Sequence, residues 1–252
     1  MCLITFAWRA DSHTPLLLAA NRDEFHARPT AAANWWKESP EIFGGRDLSQ
    51  GGGWLAVSRR NRLAAVTNVR RMVPPNPAAP SRGALVADFL RSTFSAREYA
   101  ATLAKHAEAY AGFNLLLYDG EDLLHLTNQS EFQVHAVTPG VHGLSNDTLD
   151  TPWPKLTRVT TGLSAWMKQE DADTTDLFSL LGDQRAAPDA ELPNTGVGLE
   201  LERMLSSPFI LSPQYGTRCS SVVKFGTAGP QEFIERRYAP DGLVTGETQQ
   251  RF

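Results

Sequence analysis

Short apolar runs separated by turn-forming residues dominate the chain and predict a fold rich in β-hairpins. The runs Cys2–Trp8 and Leu16–Ala20 lie so close together that we expect them to form neighbouring antiparallel strands. Trp54–Ser58 and Leu63–Asn68 predict a second hairpin that turns at residues 59–62. Further strands are predicted at Phe113–Tyr118, Leu123–Thr127, Phe132–Val137, Arg218–Phe225 and Glu232–Tyr238.

Helical patterns fall in two places between these groups of strands. Ser81 is a predicted N-cap for a helix over Arg82–Thr93, and Ser95 with Glu98 forms a capping-box pattern for a second helix that ends near Ala109. Later helices are predicted at Pro154–Lys168 and Asp173–Leu181. Glycine, proline and polar residues predict turns or loops at 44–47, 51–53, Val73–Pro80, Gly143–Pro154 and Gln184–Gly198.

The order of these elements predicts the fold class. Strands, helices, strands, helices and strands follow one another without the regular strand–helix alternation of a parallel sheet. We therefore predict an α+β fold in which helices cover antiparallel sheets. Neither an internal repeat nor a linker-like segment interrupts the pattern, so we predict one domain over residues 1–252.

Net charge and cysteine content limit the partners and the cellular compartment that we expect for the protein. A net charge of −4 argues against a nucleic-acid partner, which needs a basic face to neutralise phosphates. Two cysteines provide no disulfide framework, as is usual in a reducing compartment. The start of the chain has no basic leader, and no apolar run is long enough to span a bilayer. We expect a cytoplasmic protein with a small-molecule ligand and no integral membrane segment, whose oligomeric state is left open.

Cys2 is the first residue with candidate chemistry. Removal of Met1 would place a free α-amine beside the Cys2 thiol. The pKa of an α-amine is about 7.7–8.0, so this amine can take the proton of its own nucleophile. The alternative is that Cys2 is simply a small buried residue that begins a strand.

Polar residues elsewhere supply candidate partners for Cys2. The motif Asn21–Glu24 follows the second strand and is either an ordinary strand-end turn or a cluster that the hairpin returns to Cys2. In the second case Asp23 would hold the α-ammonium, and Arg22 would lower the thiol pKa or bind an anion. Asn68 and Asn146 are turn residues or oxyanion donors, and Arg218 is a surface residue or an anion clamp.

No metal or nucleotide motif accompanies these residues. The six histidines lie far apart and form no His-x-x-x-His pattern, so the sequence predicts no metal site. The glycines of 44–53 have the spacing of neither a phosphate-binding loop nor a dinucleotide fingerprint.

Short blocks of residues along nearly the whole chain join these candidates into one pattern. Met1-Cys2 with Asn21-Arg22-Asp23-Glu24 resembles the family named for that four-residue motif, also called the transport and Golgi organisation protein 2 family. Other matching blocks are Arg28-Pro29-Thr30, Gly45-Arg46-Asp47, Gly51-Gly52-Gly53-Trp54-Leu55, Thr67-Asn68, Ser81-Arg82-Gly83, Gly112-Phe113-Asn114-Leu115-Leu116, Gly143-Leu144-Ser145-Asn146, Leu149 to Lys155 and Tyr215 to Ser220. Gly53 departs from the pattern, since the family usually has Thr there.

The resemblance implies a fold and a set of site residues. The family is similar to bile-salt hydrolases and penicillin V acylases, which implies a four-layer αββα sandwich of the N-terminal-nucleophile type with antiparallel sheets. It implies Cys2 as nucleophile, with Asp23, Asn68, Asn146 and Arg218 as its catalytic partners. As ligand-binding residues we predict Asn21, Arg22, Glu24, Arg46 and Trp54. Position 20 is Ala where those acylases have an active-site Arg.

Two functions are consistent with this resemblance. The residues favour hydrolysis of an amide, ester or thioester through an acyl-enzyme on Cys2, a reaction that requires no cofactor. The family instead implies a carrier that traffics haem, for which haem would be cargo. A haem carrier would use an apolar cleft, with Trp35, Trp36 and Trp54 as candidates, and arginines for the propionates. The sequence leaves open whether the protein is an enzyme.

Overall fold

A computed structural model describes residues 2–11, 14–70, 76 and 78–252. The first of its two sheets has six strands, ordered β10-β1-β2-β11-β12-β13. All neighbours in this sheet are antiparallel. Its strands are β1 (Cys2–Trp8), β2 (Leu16–Phe25), β10 (Gly140–Leu144), β11 (Tyr215–Gly226), β12 (Gly229–Tyr238) and β13 (Val244–Arg251).

The second sheet is a seven-stranded antiparallel meander in chain order. Its strands are β3 (Thr30–Trp36), β4 (Ser39–Asp47), β5 (Leu55–Ser58), β6 (Arg62–Asn68), β7 (Phe113–Tyr118), β8 (Leu123–Thr127) and β9 (Gln133–Ala136). The helices are α1 (Arg82–Arg91), α2 (Ala96–Leu103), α3 (Pro154–Trp166), α4 (Leu177–Leu181) and α5 (Leu199–Met204).

Alternation along β1 shows how the four layers form. Ile4 and Phe6 point into the core between the two sheets, where they meet Leu55 and Val57 of β5. The intervening residues point outward to a helix layer, where Leu3 packs with α3. The helices α1 and α2 cover the outer face of the second sheet in the same way. The central strands of both sheets are therefore buried on both faces, which explains their uninterrupted apolar runs, and the layers confirm the predicted αββα sandwich.

The polar motif Asn21–Glu24 lies inside a strand, so the alternative of an ordinary strand-end turn is wrong. β2 continues to Phe25 because both of its edges are paired, with Cys2 opposite Arg22 on β1 and Thr217 opposite Asp23 on β11. Hydrogen bonding to two neighbours satisfies the backbone, and the polar side chains find partners in the interior.

Other differences from the sequence prediction are local. The pattern missed β3, β4, β10, β13 and α5, and the predicted turn at 44–47 is the end of β4. Ser81 and Ser95 do cap α1 and α2, and Ser95 forms the predicted capping box with Glu98. Much of the predicted loop Val73–Pro80, namely residues 73–75 and 77, lies outside the described residues, as does Met1. Within the described part of the chain, the helices are all too short or too polar to cross a membrane.

Candidate active site

Cys2 opens β1 at the edge of the sandwich and lines a cleft of about 240 Å³. Its strand partner is Arg22, and Arg22 in turn lies opposite Cys219 on β11. Residues directly opposite one another share a face, so the three side chains form a row. Two strand spacings, roughly 10 Å, separate the cysteines, which is too far for a disulfide.

The thiol of Cys2 is buried, with only 7% of the residue exposed. Burial raises the pKa of this thiol, the carboxylates of Asp23 and Glu24 raise it further, and Arg22 opposes them. The thiol is therefore protonated at neutral pH and needs a base in order to act as a nucleophile.

Asp23 reaches the same cleft from the opposite face of β2. It is 1% exposed, and its Oδ1 accepts a hydrogen bond of 2.8 Å from Thr217 Oγ1. Thr217 is itself fixed, because its Oγ1 accepts from the backbone N–H of Ile210 at 2.9 Å. Burial raises the pKa of Asp23, whereas the charges of Lys155 and Arg22 lower it.

Lys155 is a buried cation that the sequence analysis did not select. It lies in the first turn of α3 and is 1% exposed, and no described residue accepts a hydrogen bond from its Nζ. Burial lowers its pKa to about 8, and Asp23 is the largest charge that opposes this shift. The block Leu149 to Lys155 was the available signal, but a lysine at a helix start is ordinarily exposed.

The two predicted oxyanion amides have different positions. Asn68 lines the cleft, whereas Asn146 is 1% exposed and lies behind it. Asn146 Nδ2 donates to the carbonyl oxygen of Asn68 at 2.9 Å and to Asn68 Oδ1 at 3.2 Å. The Oδ1 atom of Asn68 faces Asn146, and no described residue accepts a hydrogen bond from Asn68 Nδ2. The Nδ2 group of Asn68 is therefore the donor available to a ligand in the cleft.

Ser145 connects these amides to Cys2. Its hydroxyl lies 3.1 Å from both the Cys2 carbonyl oxygen and Asn146 Oδ1, and it donates to one of them at a time. The Ser145 carbonyl oxygen accepts from Thr67 Oγ1 at 2.5 Å. These bonds join the ends of β1, β6 and β10, which are far apart in sequence.

Charged residues surround the cleft in pairs. Glu24 lies 3.9 Å from Arg22 and 3.7 Å from Arg28, and Arg28 donates from Nε to Asp47 at 3.1 Å. All four residues line the cleft together with Trp54, so the predicted ligand residues Arg22, Glu24 and Trp54 do lie beside Cys2.

Three other predicted site residues do not line the cleft among the described residues. Asn21 is fully buried and uses both its amide N–H groups on the carbonyls of Leu181 and Pro208. Arg46 pairs with Glu38 and stacks on Trp36. Arg218 lies at a bulge in β11 and donates to two backbone carbonyls of the turn after β2, those of Phe25 and Arg28.

Arg82 is a second cleft residue that the sequence analysis assigned only to a helix. It begins α1 and donates from Nη1 to the Gly112 carbonyl at 3.1 Å. Burial lowers the pKa of Arg82, and the largest charge that opposes this shift is that of Cys2. The signal was the block Ser81-Arg82-Gly83.

Gly53, the residue that departs from the resemblance, also lines the cleft. A Cβ atom on Gly53 would lie 3.0 Å from Cζ2 of Trp36, so a larger residue requires this buried ring to move. Glycine therefore fits the packing here, and the cleft gains no hydroxyl from this position.

A second cavity of about 640 Å³ adjoins the first. Glu24, Arg28, Asn68 and Arg82 line both cavities. Apolar residues form much of its remaining wall, among them Phe25, Val69, Val197, Leu201, Met204 and Leu205.

Comparison with known proteins identifies the family of this chain. A family model described as Transport and Golgi organisation 2 matches residues 1–240. The chain belongs to this family. It is 33% identical to the Transport and Golgi organization protein 2 homolog of Bos taurus, over 94% of this chain and 92% of that protein. For the Homo sapiens homolog the identity is 32%, over 99% of this chain and 97% of that protein.

Solved structures of hydrolases share the fold at low sequence identity. A mutant of the conjugated bile acid hydrolase from Clostridium perfringens aligns with a TM-score of 0.56 at 10% identity, covering 100% of this chain and 92% of that one. The Caenorhabditis elegans ortholog of N-acylethanolamine-hydrolyzing acid amidase aligns with a TM-score of 0.54 at 8% identity, covering 90% and 93%. These likenesses show an N-terminal-nucleophile hydrolase fold.

Proposed function

We propose that the protein is a cysteine N-terminal-nucleophile hydrolase that cleaves an amide, ester or thioester after removal of Met1. The observation that carries the proposal is that Cys2, Asp23 and Asn68 open on one cleft, although they come from three strands. Likeness in fold to an acid amidase and to a conjugated bile acid hydrolase supports it.

The first half of the reaction forms an acyl-enzyme. The free α-amine of Cys2 takes the thiol proton, and Sγ attacks the substrate carbonyl carbon. Asn68 Nδ2 donates to the oxyanion while Asn146 holds Asn68 in place. As the tetrahedral intermediate collapses, the bond to the leaving group breaks and the α-ammonium returns the proton to that group.

The second half of the reaction releases the acid. The α-amine takes a proton from water, the hydroxyl attacks the thioester carbonyl, and Cys2 leaves as a thiol with the acyl group released as a carboxylic acid. In each step in which the α-amine is protonated, the Asp23 carboxylate accepts a hydrogen bond from the resulting α-ammonium, and Thr217 fixes the orientation of the carboxylate. Asp23 must be ionised for this role.

Cys219 offers a matched control for the test. We expect purified protein to lack Met1 by intact mass and to gain one octanoyl group when treated with p-nitrophenyl octanoate, with a burst of one equivalent of p-nitrophenolate. Cys2→Ala should abolish the burst and the added mass, whereas Cys219→Ala, in the same row of side chains and also buried, should retain both. Normal turnover by Cys2→Ala would overturn the proposal.

Haem carriage is a second candidate, favoured by the second cavity. Its wall combines apolar side chains with Arg82, which forms no ion pair with a described carboxylate, a composition suited to a macrocycle bearing propionates. Trp35 and Trp36 do not belong to this wall, since Trp35 packs on Phe43 and Trp36 on Arg46. A carrier should show a Soret shift that saturates at one equivalent and that Leu201→Arg abolishes; unsaturable binding would exclude it.

A further inference from the structure

Arg82 differs from the other arginines around the two cavities in its ion pairing. Arg28 pairs with Asp47, Arg22 lies beside Glu24, and Arg70 forms a buried ion pair of 2.7 Å with Glu202. No described carboxylate lies within ion-pair distance of Arg82, and its one hydrogen bond goes to a backbone carbonyl.

The position of Arg82 fixes where a bound anion would lie. Arg82 lines the cleft of Cys2 and the adjoining cavity, so it stands at their junction. An anion on its guanidinium would therefore lie within a few bonds of a carbonyl that Cys2 attacks. Glu24 borders both cavities and repels negative charge, which favours a single charge over a dianion such as phosphate.

The two cavities differ in the polarity of their walls, and this difference indicates where the other parts of a substrate would bind. The smaller one is walled mainly by charged and polar side chains, including Arg22, Asp47 and Gln50. The larger one has Val69, Leu201 and Met204 in its wall, and the 58% exposed ring of Phe25 extends its apolar surface. An acyl chain fits the larger cavity, and a small polar leaving group fits the smaller one.

We propose that the substrate is an N-acyl α-amino acid, with its carboxylate on Arg82 and its acyl chain in the cavity walled by Leu201. The inference rests on the proposed hydrolysis and names its substrate class. The α-carboxylate is two bonds from the amide nitrogen, which matches an arginine at the junction, and a guanidinium binds a carboxylate through two parallel hydrogen bonds. Water adds across the amide bond, giving a carboxylic acid and a free amino acid.

A pair of substrates that differ only in charge distinguishes two roles of Arg82. It either binds the substrate carboxylate or acts on the reaction of every substrate. N-decanoylglycine and N-decanoylglycinamide differ in charge but share the chain and the scissile bond. Wild type should prefer the anion at least about tenfold in kcat/KM, since a hydrogen-bonded charge contributes that much. Arg82→Gln should remove this preference mainly through KM, so that the variant hydrolyses the two compounds with similar kcat/KM.

Arg91 supplies the control at the other end of the same helix. It is half exposed and bonds to Ser39, so Arg91→Gln should keep the preference for the anion. Equal losses on both substrates in Arg82→Gln would mean that Arg82 acts on the thiolate, and this result would overturn the proposal. Arg82→Lys should recover part of the preference, because a single charge remains.

Binding to the Cys2→Ala variant distinguishes failure of the inference from failure of the hydrolase proposal. In calorimetry this variant should bind N-decanoylglycine at least about tenfold more tightly than the glycinamide, and adding Arg82→Gln should equalise the two. Selective binding without turnover by wild type would refute hydrolysis but support the anion site. Equal binding of both compounds would refute the anion site whether or not turnover occurs.

Discussion

At the scale of single residues, the unusual feature of the site is a buried pair of opposite charges beneath Cys2. Lys155 and Asp23 are each 1% exposed, and each charge favours the ionised form of the other. Burial alone would favour the protonated, neutral form of Asp23. In that form one of the two oxygens carries a proton, so the carboxyl group is a weaker acceptor for the α-ammonium. Lys155 therefore helps to keep Asp23 in the form that the proposed reaction needs.

Replacing Lys155 by Met should change both stability and pH dependence. The variant leaves the buried carboxylate with less compensating charge, so we expect a loss of about 3 kcal/mol in urea unfolding at neutral pH. The pKa of Asp23 should rise, which moves the acid limb of Cys2 acylation to higher pH. The exposed Lys168→Met is the control, and an unmoved acid limb would show that Lys155 does not act on Asp23.

At the scale of elements, two glycines bring α1 to the cleft. Gly52, between β4 and β5, lies against Gly83 of α1, and a Cβ atom on Gly52 would overlap the backbone of Gly83. The two segments also share a hydrogen bond of 3.3 Å from Gly53 N–H to the Gly83 carbonyl. Backbone contact of this kind places Arg82 at the wall of the cavity, and only glycine permits it.

Gly52→Ala should therefore damage the site through the position of α1. We expect a loss of about 1–3 kcal/mol in stability, because packed backbone must separate, together with weaker binding of anions at Arg82. Gly51→Asn is the control, since position 51 has φ of 75° and open space around it, and Asn tolerates that conformation. Equal effects of the two substitutions would argue against the packing explanation.

At the scale of the whole molecule, burial of polar groups between the sheets makes stability depend on pH. His125 on β8 is 1% exposed, lies 3.1 Å from Asn114 Oδ1 through Nε2, and has no described partner for Nδ1. Burial lowers its pKa to about 4, the nearby His135 lowers it further, and Asp150 opposes them.

The sign of this effect follows from the direction of the shift. Between the ordinary pKa of 6.5 and the folded value near 4, the unfolded chain binds more protons, so the free energy of unfolding falls as the pH drops through this window. His125 should account for up to about 3 kcal/mol of the loss. Urea unfolding at pH 7, 5.5 and 4.5 should show a shallower loss in His125→Gln; an unchanged slope would refute this.

Sequence patterns were sufficient for the parts of this fold that depend on local periodicity. The runs Cys2–Trp8 and Phe113–Tyr118 are strands with the predicted bounds, and Ser95 caps its helix as its spacing with Glu98 indicates. The resemblance supplied the sandwich, and Cys2 and Asp23 do line one cleft. Such features follow from short-range sequence because alternation and capping involve residues a few positions apart.

The tertiary structure alone decided which polar residues serve the site. Asn21 and Asp23 share a face of β2, yet Asn21 donates to carbonyls at the end of α4 and at position 208, while Asp23 reaches the cleft. The roles of Lys155 and Arg82 depend on where α3 and α1 pack, and that depends on contacts between distant segments. The sequence by itself determined the strands, the capped helices and the nucleophile candidate. Only long-range packing determined the burial and pairing of the charges around that nucleophile, because both are properties of the assembled layers.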